Sequence, residues 1–312
     1  MGPARTHPRK GKQGQTMNRT IASAALAAAA ALAPVAALAD GHYVPGVEGI
    51  QGASVPPAGI YYLGYLVNYD IGSFRAPGSS SDLPGHNSGT VTALANRLVW
   101  ISHTKLLGAD YGMEAIVPLV RTSLTVNAAG ISDSRSGVGD IYVGPLVLGW
   151  HGPRWDAVAA AGIWLDTGST DHPASAGKGF KSTMLTGGLT YYFDSAKSIS
   201  GSALMRFERN GRNAAGLRPG NQVTLEWGLA KNFGAVQAGL VGYSQWQVSD
   251  DGGAGASSQR SSRHAIGAEL VYPVPGAGVF LKAAAYKELR AEAGTGAYPK
   301  GSLLRFTLVK AF

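Results

Sequence analysis

The chain has 312 residues, 44 of them Gly and none Cys, and is 45% hydrophobic but only 15% charged. Its 13 Tyr, 8 Phe and 6 Trp exclude a disordered chain, Gly without a three-residue period excludes collagen, and the lack of Cys excludes disulfide scaffolds and thiolate chemistry. The net charge of +8 does not indicate nucleic acid as a partner: Arg5, Arg9, Lys10, Lys12 and Arg19 all precede residue 40, where no acid occurs, and the remainder holds 22 basic against 19 acidic residues.

Residues 21–39 read IASAALAAAAALAPVAALA, uncharged and preceded by Arg19. The run ends in Ala37-Leu38-Ala39, the small-x-small pattern of a signal-peptidase site, and turns polar at Asp40. A membrane anchor is the competing reading, because the run is about long enough to span a bilayer. Pro34, the weak hydrophobicity of Ala and the cleavage pattern favour export and cleavage after Ala39. Met17 stands where an ordinary signal peptide begins, so residues 1–16 read as an upstream extension, and the start at Met1 or Met17 is left open. The segment 40–57 (DGHYVPGVEGIQGASVPP) is rich in Gly and Pro and carries one acid, Glu48, after Asp40. It fits either a loose periplasmic tail or a plug inserted into a barrel lumen.

Beyond residue 57 the pattern is alternation. Val223, Leu225, Trp227 and Leu229 take one face of their segment, while Gln222, Thr224, Glu226 and Gly228 take the other. The segments HAIGAELVY and SLLRFTLVKAF repeat that division. Twelve strands are predicted, at about 58–69, 91–104, 111–126, 138–150, 155–166, 179–193, 198–209, 220–231, 234–248, 261–272, 277–289 and 300–312. The connections alternate: short ones near 108, 152, 195, 232 and 274, long polar Gly/Ser-rich ones between. Short turns on one side and long loops on the other are the asymmetry of an antiparallel up-and-down outer-membrane β-barrel over 58–312, with turns periplasmic and loops extracellular. A closed barrel pairs every backbone group without leaving an edge.

In that fold the apolar face meets lipid, and the opposite face lines a wet lumen. Arg97, Glu114, Arg206, Glu208, Glu226, Glu269, Lys282 and Arg305 fall on or near the lumen face, where several can pair. Tyr61, Tyr62, Trp100, Trp150, Trp155, Tyr191, Phe193, Trp246 and Tyr272 stand near strand ends, as interfacial girdles require.

The opening GHYVPG (His42, Tyr43, Pro45, Gly46), continued by Pro56-Pro57 and GIYYLGYLVNYD, then Asn96-Arg97 and GVGDIYVGP at 137–145, resembles outer-membrane proteins of the meta-pathway phenol-degradation family, which includes the SphA family. The likeness spans residues 41–312. It implies an outer-membrane barrel of a Gram-negative bacterium, linked to uptake of aromatic or lipid-like compounds. The terminal Phe312 with alternating apolar residues resembles the signal read by the barrel-assembly machinery, although Lys310 departs from it.

Signs of catalysis or of a cofactor are sparse. His103 follows Ser102 directly, so the two point to opposite strand faces. His86, His151 and His172 stand in turns or loops, and His264 lies beside Arg263. GKGFKST at 177–183 lacks the Gly-Lys-Ser/Thr of a phosphate loop. Cleavage after Ala39 would expose Asp40-Gly41-His42, whose amine, amides and imidazole can form a square-planar Cu(II) or Ni(II) site; the alternative is that His42 packs with Tyr43 and Pro45 in or under the barrel. The expectation is therefore a non-enzymatic outer-membrane channel with no cofactor, passively taking up small hydrophobic or aromatic solutes, with outer-membrane lipid and the assembly machinery as partners. An outer-membrane hydrolase with a Ser-His site built between strands, a non-transporting structural barrel and a soluble secreted barrel are the rivals.

Overall fold

The computed structural model describes Met1, Gly2 and residues 41–312. The expected leader, its cleavage site and Asp40 lie outside the described residues. The strands in chain order are β1 (Gly59–Arg75), β2 (Asn87–Leu106), β3 (Ala109–Val126), β4 (Ile131–Val138), β5 (Tyr142–His151), β6 (Trp155–Trp164), β7 (Ser182–Tyr192) and β8 (Ile199–Asn210). They continue as β9 (Leu217–Arg218), β10 (Gln222–Phe233), β11 (Val236–Gln247), β12 (Gly252–Gly253), β13 (Ser262–Val274), β14 (Val279–Glu292) and β15 (Tyr298–Ala311). Thirteen of them, all but β9 and β12, form one antiparallel sheet; β4 pairs only with β3, and the other twelve follow one another around the wall in chain order. Pairing of β1 with β15, from Tyr61 opposite Ala311 to Arg75 opposite Tyr298, closes that sheet into the expected barrel. No helix among the described residues is long and apolar enough to cross a membrane.

The distribution of side chains is that of a protein with its wet side inside. Along β10 the inward Gln222, Thr224 and Glu226 are buried, whereas Leu229 is 54% exposed on the outer face. Leu240 (56%), Met205 (53%) and Leu270 (55%) continue the apolar belt. Such a surface is stable against hydrocarbon and not against water. Trp100, Trp155, Tyr191, Phe193, Tyr272 and Phe280 are exposed at the short-turn end, at the level of a bilayer interface. Phe312 is exposed there too, and its N–H donates to the Ile60 carbonyl at 3.0 Å.

Two elements differ from the sequence expectation. Residues 131–137, read as part of a loop, form β4 together with Val138, and this strand folds back on β3 from Leu119 opposite Val138 to Val126 opposite Ile131. Its Ser-Asp-Ser-Arg-Ser run has no apolar face to announce a strand, because this hairpin stands outside the barrel wall's apolar belt. The strand expected at 138–150 begins only at Tyr142, and its register against β6 shifts between Val143 and Leu146, around Pro145, which lacks a ladder donor. β1 and β2 also run longer than expected, to 17 and 20 residues, carrying the wall outward beyond the apolar belt.

Candidate functional site

Residues 41–57 lie inside the barrel. The segment leaves β1 at the short-turn end, where Val55 packs with Val99, Ile101, Val147 and Ala160. It climbs past Ile50, buried among Tyr65, Val67, Val241, Tyr243 and Tyr286 at mid-height, and brings His42 beneath the long loop 165–181. Two backbone features permit this close approach. Gly49 has φ +66°, and the Glu269 carboxylate occupies the space a Cβ would need. On the facing wall, a Cβ at Gly228 would sit 3.2 Å from the Gly49 carbonyl oxygen and the Ile50 Cα.

The segment does not extend the sheet; wall side chains hold it. Its backbone N–H groups donate to carboxylates: His42 to Glu208 Oε1 at 2.8 Å, Tyr43 to Glu208 Oε2 at 3.2 Å, Glu48 to Glu226 Oε2 at 3.1 Å and Ile50 to Glu269 Oε2 at 2.6 Å. In return Arg305 Nη1 donates to the Gly46 carbonyl at 2.9 Å. The Glu48 side chain is the centre of the network. Its Oε1 accepts from Arg97 Nη1 at 3.0 Å and from Arg206 Nη2 at 2.6 Å. Burial pushes the Glu48 carboxyl pKa up, but Arg97, Arg206 and Lys282 outweigh this and hold it at about 2. Tyr43 lies with its ring 4.2 Å from the Arg206 guanidinium carbon; its hydroxyl accepts from Arg206 Nη1 at 2.7 Å and donates to Glu226.

All eight charged residues singled out on the lumen face sit in this network. Arg97 on β2 pairs with Glu114 on β3, Nε to Oε2 at 2.6 Å. Arg206 and Glu226 meet the segment as described, and Arg305 on β15, fully buried, pairs with Glu269 on β13, which Lys282 on β14 approaches to 3.8 Å. Glu208 on β8 faces His42, with Nδ1 at 2.7 Å. The second imidazole nitrogen, Nε2, stands 3.4 Å from Asp140, a carboxylate that accepts backbone N–H groups of Thr167, Gly168 and Lys178. The His42 ring stacks on Trp164, with centroids 5.5 Å apart and planes at 9°. Burial lowers the His42 pKa, but hydrogen bonds with Asp140 and Glu208 outweigh it, so the group titrates above its usual value. Of the other motif residues, Pro45 and Gly46 form a buried turn, Pro56 is half-buried, and Pro57 is exposed with its carbonyl accepting from Tyr61.

Three contributors were not singled out from the sequence. Glu48 was visible only as a lone acid in a Gly/Pro-rich segment. Asp140 lies in an irregular stretch before β5, and Ser182, whose hydroxyl donates to Glu208 at 2.5 Å, is one of many serines. A second cluster lies nearer the long loops: Tyr69 and Tyr243 donate to Glu288 at 2.7 and 3.0 Å, and Arg263 stacks on Tyr298. No group of three or more His, Asp or Glu side chains placed so that it could hold a metal ion occurs among the described residues, and both His42 ring nitrogens face carboxylates.

The sequence pattern of the family described as "Putative MetA-pathway of phenol degradation" matches residues 72–302. An outer membrane channel from Pseudomonas putida F1 superposes with a TM-score of 0.72 at 14% identity, over 86% of this chain and 100% of that one. The translocator domain of the autotransporter NalP from Neisseria meningitidis (TM-score 0.47, 10% identity, 95% and 98% covered) and the toluene transporter TodX of Pseudomonas putida (0.43, 11%, 87% and 94%) are more distant. No curated protein sequence matches the chain.

Proposed function

This chain belongs to the phenol-degradation family whose pattern it matches, and from that membership and the occupied polar lumen we propose that it is a passive outer-membrane channel for small aromatic or hydrophobic compounds. Residues 41–57 are its displaceable plug. The observation that carries this reading is the manner of attachment. The segment meets the wall through carboxylates and guanidinium groups and adds no strand, so it can leave without opening the barrel. The fold shared with the Pseudomonas putida F1 channel supports the same reading. Lipid around the apolar belt and the assembly machinery at Phe312 are the partners it implies.

One observation favours a second reading. Ser182 Oγ is 3.0 Å from His42 Nδ1, and Asp140 faces the other nitrogen, a Ser-His-Asp proximity. The hydrogen-bond pattern argues against a hydrolase. The Ser182 hydroxyl donates to Glu208, and both ring nitrogens of His42 face carboxylates, so neither is reserved for the serine proton. The group serves as a latch between the plug and the loop 165–181. Fluorophosphonate labelling of the folded protein checks this: no adduct is expected, and an adduct on Ser182 would restore the hydrolase. Uptake of phenol or toluene into liposomes holding the protein tests the channel. Uptake above protein-free vesicles is expected, and its absence from a folded barrel would refute the proposal.

A further inference from the structure

The plug places an aromatic ring and a carboxylate on a single wall guanidinium. Tyr43 lies over Arg206 and reaches its Nη1, while Glu48 takes its Nη2 and shares the same oxygen with Arg97. Around them stand four cations, Arg97, Arg206, Lys282 and Arg305, and three wall carboxylates, Glu114, Glu226 and Glu269, the fourth carboxylate of the network, Glu208, being engaged by His42. Without Glu48 that set carries one uncompensated positive charge in a largely enclosed lumen, where an unpaired charge is costly. Glu48 supplies the missing monoanion. The wall is complementary to a small molecule combining an aromatic ring with one carboxylate, and the plug presents those two groups from its own chain.

We propose that Arg206 and Arg97 form a binding site for aromatic monocarboxylates, molecules in which a short arm joins ring and carboxylate, and that Tyr43 and Glu48 occupy it as an internal ligand until such a solute displaces them. The proposal rests on the channel reading and names the solute class for it. A neutral hydrocarbon can take the ring position but supplies no replacement for the carboxylate that Arg97 and Arg206 share, leaving Arg97 with Glu114 alone and Arg206 with Glu226 at 3.7 Å. An aromatic amine adds charge of the wrong sign. An aromatic acid replaces both groups of the plug at once, so the solute that fits the site is also the one that releases the plug.

The test is binding of 3-phenylpropionate, its neutral analogue 3-phenylpropanol and the cationic 3-phenylpropylamine to the full-length protein in detergent. Isothermal titration is run on wild type and on the Tyr43→Ala/Glu48→Ala double variant, with folding checked by heat-modifiable gel mobility. The double variant is expected to bind the acid at least about tenfold more tightly than the alcohol, the equivalent of about 1.4 kcal/mol. Adding Arg206→Gln should abolish the preference. Equal binding of acid and alcohol, or no binding of the acid, would overturn the proposal. Should the double variant not fold, the wild-type chain decides the matter: the acid should raise its planar-bilayer conductance and the alcohol should not, and an equal response to both would overturn the site. Acid-selective binding without flux of any aromatic solute would keep the site and refute the channel. Flux of neutral aromatics without acid preference would do the reverse.

Discussion

At the scale of single residues, Glu48 and His42 anchor the plug at two heights, and they respond differently to pH. Glu48, held at about 2 by its two arginines, stays ionised throughout the working range, so its contribution is lost only in strong acid. His42 titrates above its unfolded value of 6.5. Its contribution is therefore complete below 6.5 and fades as pH rises through the raised value. The charges that face it are Glu208 from β8, Asp140 ahead of β5, and the ammonium of Lys178 from the loop 165–181, near both carboxylates. Deprotonation leaves those carboxylates repelling each other across a neutral ring. Conductance should accordingly be greater at pH 9 than at pH 6, and His42→Gln should flatten the profile; a profile unchanged by the substitution would separate His42 from gating. Glu48→Gln removes one anion that two guanidinium groups share. Charge-assisted hydrogen bonds of this kind contribute about 1.5–3 kcal/mol each, so the open fraction in single-channel recordings should rise by about tenfold or more.

At the scale of elements, period-two alternation was enough to define the wall, because each strand divides into an apolar face for lipid and a polar face for the lumen. Glu226 between Leu225 and Trp227, and Arg305 between Leu304 and Phe306, are conspicuous for that reason. β4 was missed because it carries no such contrast, and the start of β5 was misplaced because Pro145 and the bulge beside it interrupt the ladder. The partnerships were not legible either. That Glu48 meets Arg97 and Arg206, or that Asp140 lies opposite His42, depends on pairing across sequence separations of 49 to 158 residues. The plug has no period at all; its path is set by Gly49 and by the space that Gly228 leaves. Gly228→Val should displace the segment and leave the strand intact, since β10 tolerates a branched residue. The readout is faster protease cleavage within 41–57, with heat-modifiable mobility unchanged; a protected segment would contradict the packing described.

At the scale of the whole molecule, the barrel is organised around an inversion, with charges enclosed and leucines displayed. Met205, in the middle of β8 and 53% exposed, belongs to the lipid-facing belt. Met205→Lys should destabilise the barrel in lipid vesicles by about 2–4 kcal/mol, the range for a cation near the bilayer midplane, as read from denaturant unfolding. A change near zero would remove Met205 from the bilayer. The central claim is that this barrel encloses a conducting path and that residues 41–57 occupy it. Planar-bilayer conductance of the chain from Gly41 to Phe312, compared with the same barrel lacking residues 41–57, tests it most directly. Rare openings of the first and stable steps from the second are predicted. Silence from both folded proteins, or identical steps from both, would contradict it.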